Sequence, residues 1–492
     1  MSSDVKRLTA NRADPILLRA RRSFGFKSFR PGQEEAIESL LAGNDTLVVM
    51  PTGFGKSAIY QVSGLVLEGT VLVISPLIAL QKDQVDSINQ KATGTEAVVL
   101  NSMQSAAESS LAFEKIEDGV GKYVFLAPEQ LSKQETMKAL EKAHIRLFVV
   151  DEAHCISEWG HDFRPEYLQL GAAVEQLGHP VVLAMTATAS QEVRNEIVQR
   201  LGMREPRVLV HGFDRPNLKL SVEHFAREDQ KLEGLLHRVR WAPKPGIVYT
   251  ATRKRAEQIT GILVEEGMEA LSYHGGLKSL ERNQVQDQFM SSDKAVVVAT
   301  NAFGMGIDKA DIRFVYHHDA PDSVDAYYQE IGRAGRDGAP AQAILFFRPE
   351  DIGSQAFKTG EGKLDPAEVE EIAVAITDHG RPIEVEDVAT HSKLPGSKVR
   401  KVIARLQDVG ALEVLPGGMV RPAADIDPAK SAEDAAQEQD RRREMKRQRL
   451  QKMEEYAKTS VCRREILLQY FGESFRGPCG NCDNCRTNRR AI

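Results

Sequence analysis

The stretch Thr46-Leu47-Val48-Val49-Met50-Pro51-Thr52-Gly53-Phe54-Gly55-Lys56-Ser57 decides the fold. An apolar run stops at a glycine-bearing turn, and the turn opens a helical pattern. A strand, turn and helix joined this way aim backbone N–H groups at a phosphate chain. Lys56 can then reach the terminal phosphates, and Ser57 can hold Mg²⁺. Met50 stands where the plain form of the pattern has glycine, so this loop is a variant. A second apolar run, Phe148-Val149-Val150, ends at Asp151-Glu152-Ala153-His154. Asp151 is placed to hold the same ion and Glu152 to orient an attacking water. A glycine-lysine turn alone is weak, but followed by an Asp-Glu strand end it predicts a nucleoside triphosphatase.

The chain has 492 residues, room for three or four domains. Its hydrophobic (42%) and charged (27%) fractions are those of a globular protein. A net charge of −6 excludes an overall polycation, so nucleic-acid binding would need local basic surface. Met1 to Asp14 lacks the apolar core of a signal peptide, and no stretch approaches the length of a membrane span. Five cysteines do not make a disulfide framework in a chain this long. The expectation is an intracellular protein of the cytoplasm, nucleoid or nucleus, with no membrane partner.

Short apolar runs alternate with helical patterns from about residue 16 to 210, among them Val71–Ile74, Tyr123–Leu126 and Val181–Met185. That rhythm predicts a parallel sheet covered by helices. A second series starts near Gly246-Ile247-Val248-Tyr249 and runs through Ala295–Ala299, Phe314–His317 and Ala343–Phe347. The fold class is therefore α/β, with two tandem RecA-like parallel-sheet lobes over 16–211 and 212–350, behind a flexible N-terminus at 1–15. Gly212 to Asn217, containing Pro216, is the expected hinge. After a linker at 351–363, residues 364–422 give three helical patterns and two short strands around Pro416-Gly417-Gly418. This reads equally as a winged helix with a basic third helix (Lys398, Arg400, Lys401, Arg405) or as a small docking domain. A charged helix at 423–460 follows, and a small helical cysteine module at 461–488. Mixed charge on that helix is weak support for nucleic-acid binding.

Gln329-Glu330-Ile331-Gly332-Arg333-Ala334-Gly335-Arg336 sets two arginines three apart, on one face if helical. Across a cleft from the nucleotide, they could stabilise charge on a transferring phosphoryl group. Thr300 to Asp308 leaves another strand with two glycines, as a loop near phosphates would. Upstream, Phe24 to Gln33 offers an aromatic, an arginine and a glutamine able to stack on and read an adenine edge. A helix start with buried aromatics is the other reading, and spacing alone favours it.

The order Phe26/Gln33, Gly53–Ser57, Asp151–His154, Thr186-Ala187-Thr188, Thr300–Asp308 and Gln329–Arg336 resembles a superfamily 2 helicase. Ser157-Glu158-Trp159-Gly160-His161-Asp162-Phe163-Arg164-Pro165 resembles the aromatic-rich loop of the RecQ family of DNA helicases. The resemblance covers about 16–350 and 461–486. It implies that Phe26 stacks on adenine while Arg30 and Gln33 recognise it. It also implies that Thr52, Gly53, Gly55, Lys56 and Ser57 bind ATP phosphates and Mg²⁺, with Asp308 and Gln329 on the nucleotide side. Asp151, Glu152, Arg333 and Arg336 would be catalytic, Arg336 as the finger. Ser75, Trp159, His161, Phe163, Arg164 and Thr300 would face DNA, the aromatic rings stacking on bases whatever their sequence.

Cys462, Cys479, Cys482 and Cys485 give C-x16-C-x2-C-x2-C, a spacing that suits sulfur ligands converging on one tetrahedral structural Zn²⁺. An iron–sulfur cluster is the competitor, and Cys462 to Glu473 resembles the RecQ zinc module. Most members of that family carry a winged helix after the zinc module. Here the segment at 364–422 precedes it, and with seven residues given after Cys485 the expectation is that no winged helix follows; Pro416-Gly417-Gly418 becomes the candidate wedge.

What the resemblance implies is an ATP-dependent DNA helicase moving 3′ to 5′ on single-stranded DNA. It would unwind forked or partial duplexes in repair or recombination. A translocase or strand-annealing enzyme with weak unwinding, an RNA helicase, and a zinc-stabilised regulator with a dead motor are the rivals.

Overall fold

The computed structural model describes residues 21–26, 28–51, 53–76, 78–91, 95–101, 104–157, 164–304, 307, 309–353, 365–392, 394–414, 419–423 and 426–488. The chain forms two compact units, residues 1–351 with 453–492, and residues 352–452.

The first unit holds two sheets. Strands β1 (Thr46–Val49), β2 (Thr70–Ile74), β3 (Glu96–Leu100), β4 (Gly121–Leu126), β5 (Ile145–Val150), β6 (Val181–Thr186) and β7 (Arg207–Val210) lie in the order β3-β4-β2-β5-β6-β1-β7. All are parallel. Every residue of β1 and β2 is buried, as expected of strands covered on both faces. Helix Ser57–Val66 contributes Ile59, Tyr60 and Val62 to this core, against Val48, Val71 and Val73.

The second sheet contains β8 (Leu218–His224), β9 (Gly246–Tyr249), β10 (Ala270–Tyr273), β11 (Val296–Ala299), β12 (Phe314–His317) and β13 (Ala341–Phe347). Their order is β10-β11-β9-β12-β13-β8, again parallel. A series starting at Gly246 misses β8. In that edge strand Leu218, Leu220 and Val222 are buried while Lys219, Ser221 and Glu223 are half-exposed. This period-2 pattern gives no continuous apolar run.

The register sets the site. Val49 of β1 pairs with Thr186 of β6, and Val150 of β5 with Ala184. The loops after β1 and β5 therefore leave the same sheet edge, two strand spacings or about 10 Å apart, with Thr186 between them. Ligands of open parallel sheets bind beyond such carboxyl ends.

The second unit has helices Pro366–Asp378, Val385–Ser392 and Gly396–Asp408. Its antiparallel strands β14 (Ile383–Glu384), β15 (Leu412–Val414) and β16 (Met419–Pro422) are ordered β14-β16-β15. Val369, Ile372, Val388, Val402 and Leu406 form its core. Helix, strand, two helices and a hairpin is the winged-helix order. Of the basic side expected of the third helix, Lys398 pairs with Glu368, Arg400 with Glu386 and Arg405 with Asp408, a carboxylate shared with Arg442, while Lys401 is exposed. The hairpin tip, with Pro416-Gly417-Gly418, lies outside the described residues. Helix Pro428–Lys458 follows. Among the described residues no helix is long and apolar enough to cross a membrane.

Candidate nucleotide cleft and cysteine cluster

After β1 the chain turns through Gly53 (φ 79°) and Gly55 (φ 81°), left-handed conformations that favour glycine. A Cβ on Gly55 would lie 2.9 Å from Gln33 Nε2, so close approach also requires glycine there. Gln33 is buried; its Nε2 donates to the carbonyls of Phe54 (3.0 Å) and Gly55 (2.9 Å), and its Oε1 accepts from Arg30 N–H. Arg30 Nη1 donates to Gly53 O, and its guanidinium lies over the Phe54 ring. Phe26 is half-buried, tilted against Phe24. Arg30 and Gln33 thus shape the phosphate loop itself.

Lys56 Nζ donates to Met50 O at 2.9 Å, and Ser57 begins the following helix. Burial pulls the Lys56 ammonium pKa below its usual value, opposed by Glu152 and Asp151 and reinforced by Arg336. Met50 is wholly buried and its N–H donates to Thr186 O, which explains a large residue at this loop position.

Asp151 follows β5 with its N–H on Ile74 O. Burial first, then the Glu152 charge, pushes its carboxyl pKa up to about 7, against the pull of Lys56. Glu152 holds φ 48°, a strained conformation for a residue with a Cβ. Its Oε2 is buried without a hydrogen bond, 3.4 Å from His154 Nδ1. His154 Nδ1 lies 2.9 Å from Thr186 Oγ1. Cys155 is a buried thiol beside His154.

The second lobe brings its arginines to this loop. Helix Val324–Ile331, which carries half-buried Gln329, ends before Arg333, and residues 332–337 form turns. The expectation of two arginines on one helical face is therefore corrected: the chain unwinds at Gly332, and both arginines lie in turns. Arg333, buried, donates to Gly304 O, while Arg336 Nη1 donates to Ile307 O at 2.9 Å. A Cβ built on Gly53 would lie 3.4 Å from Arg336 Cδ, so this side chain runs against the phosphate loop. Arg215 holds the arginine turn through the carbonyls of Gly332, Ala334 and Gly335, and Asn217 holds Gly335 O. Sequence reasoning missed Arg215 and Asn217, because nothing local marks a residue whose partners are backbone carbonyls more than a hundred positions away. It also missed Tyr167, whose hydroxyl donates to Asp151 O.

Of the residues expected to face DNA, Ser75 is buried with its N–H on Leu126 O, and Thr300 is half-buried beside β11. Arg164 is half-buried, its N–H on Cys155 O. Thr52, Trp159, His161, Phe163 and Asp308 lie outside the described residues.

Cys462, Cys479, Cys482 and Cys485 converge, with all four Sγ atoms within 4.8 Å of one another. Cys479 and Cys485 Sγ are 3.9 Å apart, close to the roughly 3.8 Å that a tetrahedral site with 2.3 Å metal–sulfur bonds requires. The N–H groups of Asn481 and Cys485 point at the sulfurs of Cys479 and Cys482. The four thiols are placed so that they could hold one metal ion.

Comparison with known proteins agrees with this geometry. The chain matches a DEAD/DEAH box helicase model over residues 30–196, a helicase conserved C-terminal domain over 230–338 and a RecQ zinc-binding region over 423–486. It is 38% identical to the probable ATP-dependent DNA helicase RecS of Bacillus subtilis, over 94% of this chain and 90% of that protein. It is also 38% identical to the ATP-dependent DNA helicase RecQ of Pasteurella multocida, again over 94% of this chain, but spans only 61% of that relative's length. Among solved structures, the DUF1998 helicase MrfA bound to DNA shares the fold, with a TM-score of 0.56 at 18% identity over 84% of this chain and 63% of that one. With the zinc-binding region and the near full-length relative both in place, the chain belongs to the RecQ family of ATP-dependent DNA helicases.

Proposed function

We propose that this protein hydrolyses ATP to move 3′ to 5′ along single-stranded DNA and to unwind forked or partial duplexes, in DNA repair or recombination. The observation that carries the reading is the meeting of Arg336 with the phosphate loop, on the cleft that also holds Lys56, Asp151 and Glu152. The left-handed glycines, the unbonded buried Glu152 oxygen and the buried Arg333 suit a triphosphate and a water.

Lys56 would exchange its loop carbonyl for the terminal phosphates, and Gln33 and Arg30 would hold the loop in register beneath them. Phe26 would stack on adenine. Ser57 and Asp151 would hold Mg²⁺, which when bound neutralises charge on the phosphate oxygens. Glu152, steadied by His154 and Thr186, would orient the attacking water. Arg336 would stabilise charge on the transferring phosphoryl group, with Arg333 beside it. Trp159, His161, Phe163 and Arg164 would couple the strand to hydrolysis. The four cysteines would hold a structural Zn²⁺, since four sulfur ligands leave no open position.

Duplexes with a 3′ tail, a 5′ tail or a fork, and matched RNA duplexes, test this. ATP-dependent unwinding of 3′-tailed and forked DNA supports it. Annealing without unwinding, or preference for RNA, would replace it with a remodelling or RNA-directed enzyme.

A further inference from the structure

The connector between the two sheets, residues 211–217, is gripped from both sides. A Cβ on Gly212 (φ 85°) would lie 2.6 Å from the Phe54 ring, so the connector rests on the phosphate loop. Its other side meets the end of helix Arg463–Tyr470, which leads out of the cysteine cluster. Phe471 stacks on Phe213 with centroids 4.5 Å apart and planes 13° apart, and Tyr328 closes on both rings.

Polar bonds fix this joint. Phe213 N–H donates to Glu473 Oε1 at 3.1 Å, and Phe213 O accepts from Tyr328 OH at 2.6 Å. Arg464 pairs with Asp214, and Asn481 Nδ2 donates to Pro216 O. Arg194 of helix Gln191–Arg200 donates to Phe471 O at 3.1 Å. Gly472, with φ 84°, leaves room for that guanidinium: a Cβ there would lie 2.9 Å from Arg194 Nη2. A cavity of about 20 Å³ lies beside Phe213, Tyr328, Leu467 and Leu468.

Each end of the joint reaches the nucleotide cleft. The connector carries Arg215 and Asn217, which hold the carbonyls of the turn presenting Arg333 and Arg336. Helix Gln191–Arg200 is capped by Ser190, just past Thr188, and Thr186 contacts His154. We propose that Arg194, Phe471 and Glu473 are positioning residues for the arginine turn. Helix Arg463–Tyr470 of the cysteine module, with Phe471 and Glu473 after it, is a strut that fixes the connector, and with it the approach of Arg336 to the phosphate loop. The proposal rests on the reading of Arg336 as the finger of an ATPase. It assigns the cysteine module a part in hydrolysis as well as in folding.

The test uses the full chain with Arg194→Gln, Phe471→Leu and Glu473→Ala, each first assayed for bound zinc. Expected is a fall in kcat of about fivefold or more, within the usual range of coupling between sites. The dissociation constant of a fluorescent ATP analogue should stay within about twofold, and the fall in kcat should vanish when Arg336→Ala is already present. A loss that adds fully to Arg336→Ala, a change in nucleotide affinity alone, or no change overturns the proposal. Arg194→Gln lies outside the tail, so it decides the matter should the tail variants lose zinc. Spin labels on unnatural residues at Leu111 and Trp241, one exposed on each lobe, give a readout free of activity. The variants should broaden the interlobe distance distribution, and an unchanged one counts against the strut. A wild-type chain that hydrolyses no ATP would sink the ATPase reading, while the distance measurement would still decide whether the strut exists.

Discussion

The cations of the nucleotide cleft and those of the winged-helix unit are bonded differently. Lys56, Arg333 and Arg336 donate to the backbone carbonyls of Met50, Gly304 and Ile307. Lys398, Arg400 and Arg405 of helix Gly396–Asp408 are paired with Glu368, Glu386 and Asp408. A neutral carbonyl leaves a cation's charge available to an arriving phosphate, whereas a carboxylate consumes it. Lys56 keeps its charge with Asp151 and Glu152 close by, whereas Lys398 and Arg400 face carboxylates of their own unit.

The largest effect should come from the cleft. Arg336→Ala should lower ATP turnover by about 10³–10⁵ and Lys56→Ala should abolish it, both without loss of folding, as circular dichroism would report. Turnover within tenfold of wild type in either variant breaks the comparison. Next comes the cysteine cluster: metal binding to such sites contributes about 10–16 kcal/mol, so Cys482→Ser should release zinc and expose the tail to protease. A metal-free tail that resists digestion would contradict that. Gln33→Ala removes two hydrogen bonds that hold the phosphate loop, so the KM for ATP should rise by the equivalent of about 1–3 kcal/mol. An unchanged KM would mean that Phe54 and Arg30 hold the loop without it.

The smallest effect should come from the winged-helix unit. Replacing Lys398 and Arg400 by alanine should leave the salt dependence of DNA affinity nearly unchanged, because each faces a carboxylate of its own unit. The loss should appear instead in stability, at about 0.2–1 kcal/mol for each exposed pair. A lower salt slope would show that the ion pairs open on DNA.

The cleft was legible because its parts are local. Gly53 to Ser57 and Asp151 to His154 each follow a run of buried apolar residues (Leu47–Val49 and Leu147–Val150), and their chemistry lies within a few residues. The alternating edge strand β8 was not legible, since half its side chains face solvent. Nor was the unwinding at Gly332, which is stabilised by Arg215 and Asn217 from the connector. The cysteine spacing pointed to a metal site but not that Phe471 and Glu473, between Cys462 and Cys479, grip the connector. Long-range contacts to backbone atoms leave no pattern in a sequence.

The central claim is that this cleft hydrolyses ATP and that single-stranded DNA drives it. The direct measurement is the hydrolysis rate of the full chain at fixed salt, alone and with single-stranded DNA, duplex DNA or single-stranded RNA. The account predicts strong stimulation by single-stranded DNA and its loss in Arg336→Ala. Stimulation by duplex DNA or RNA instead, or no hydrolysis under any condition, would contradict it.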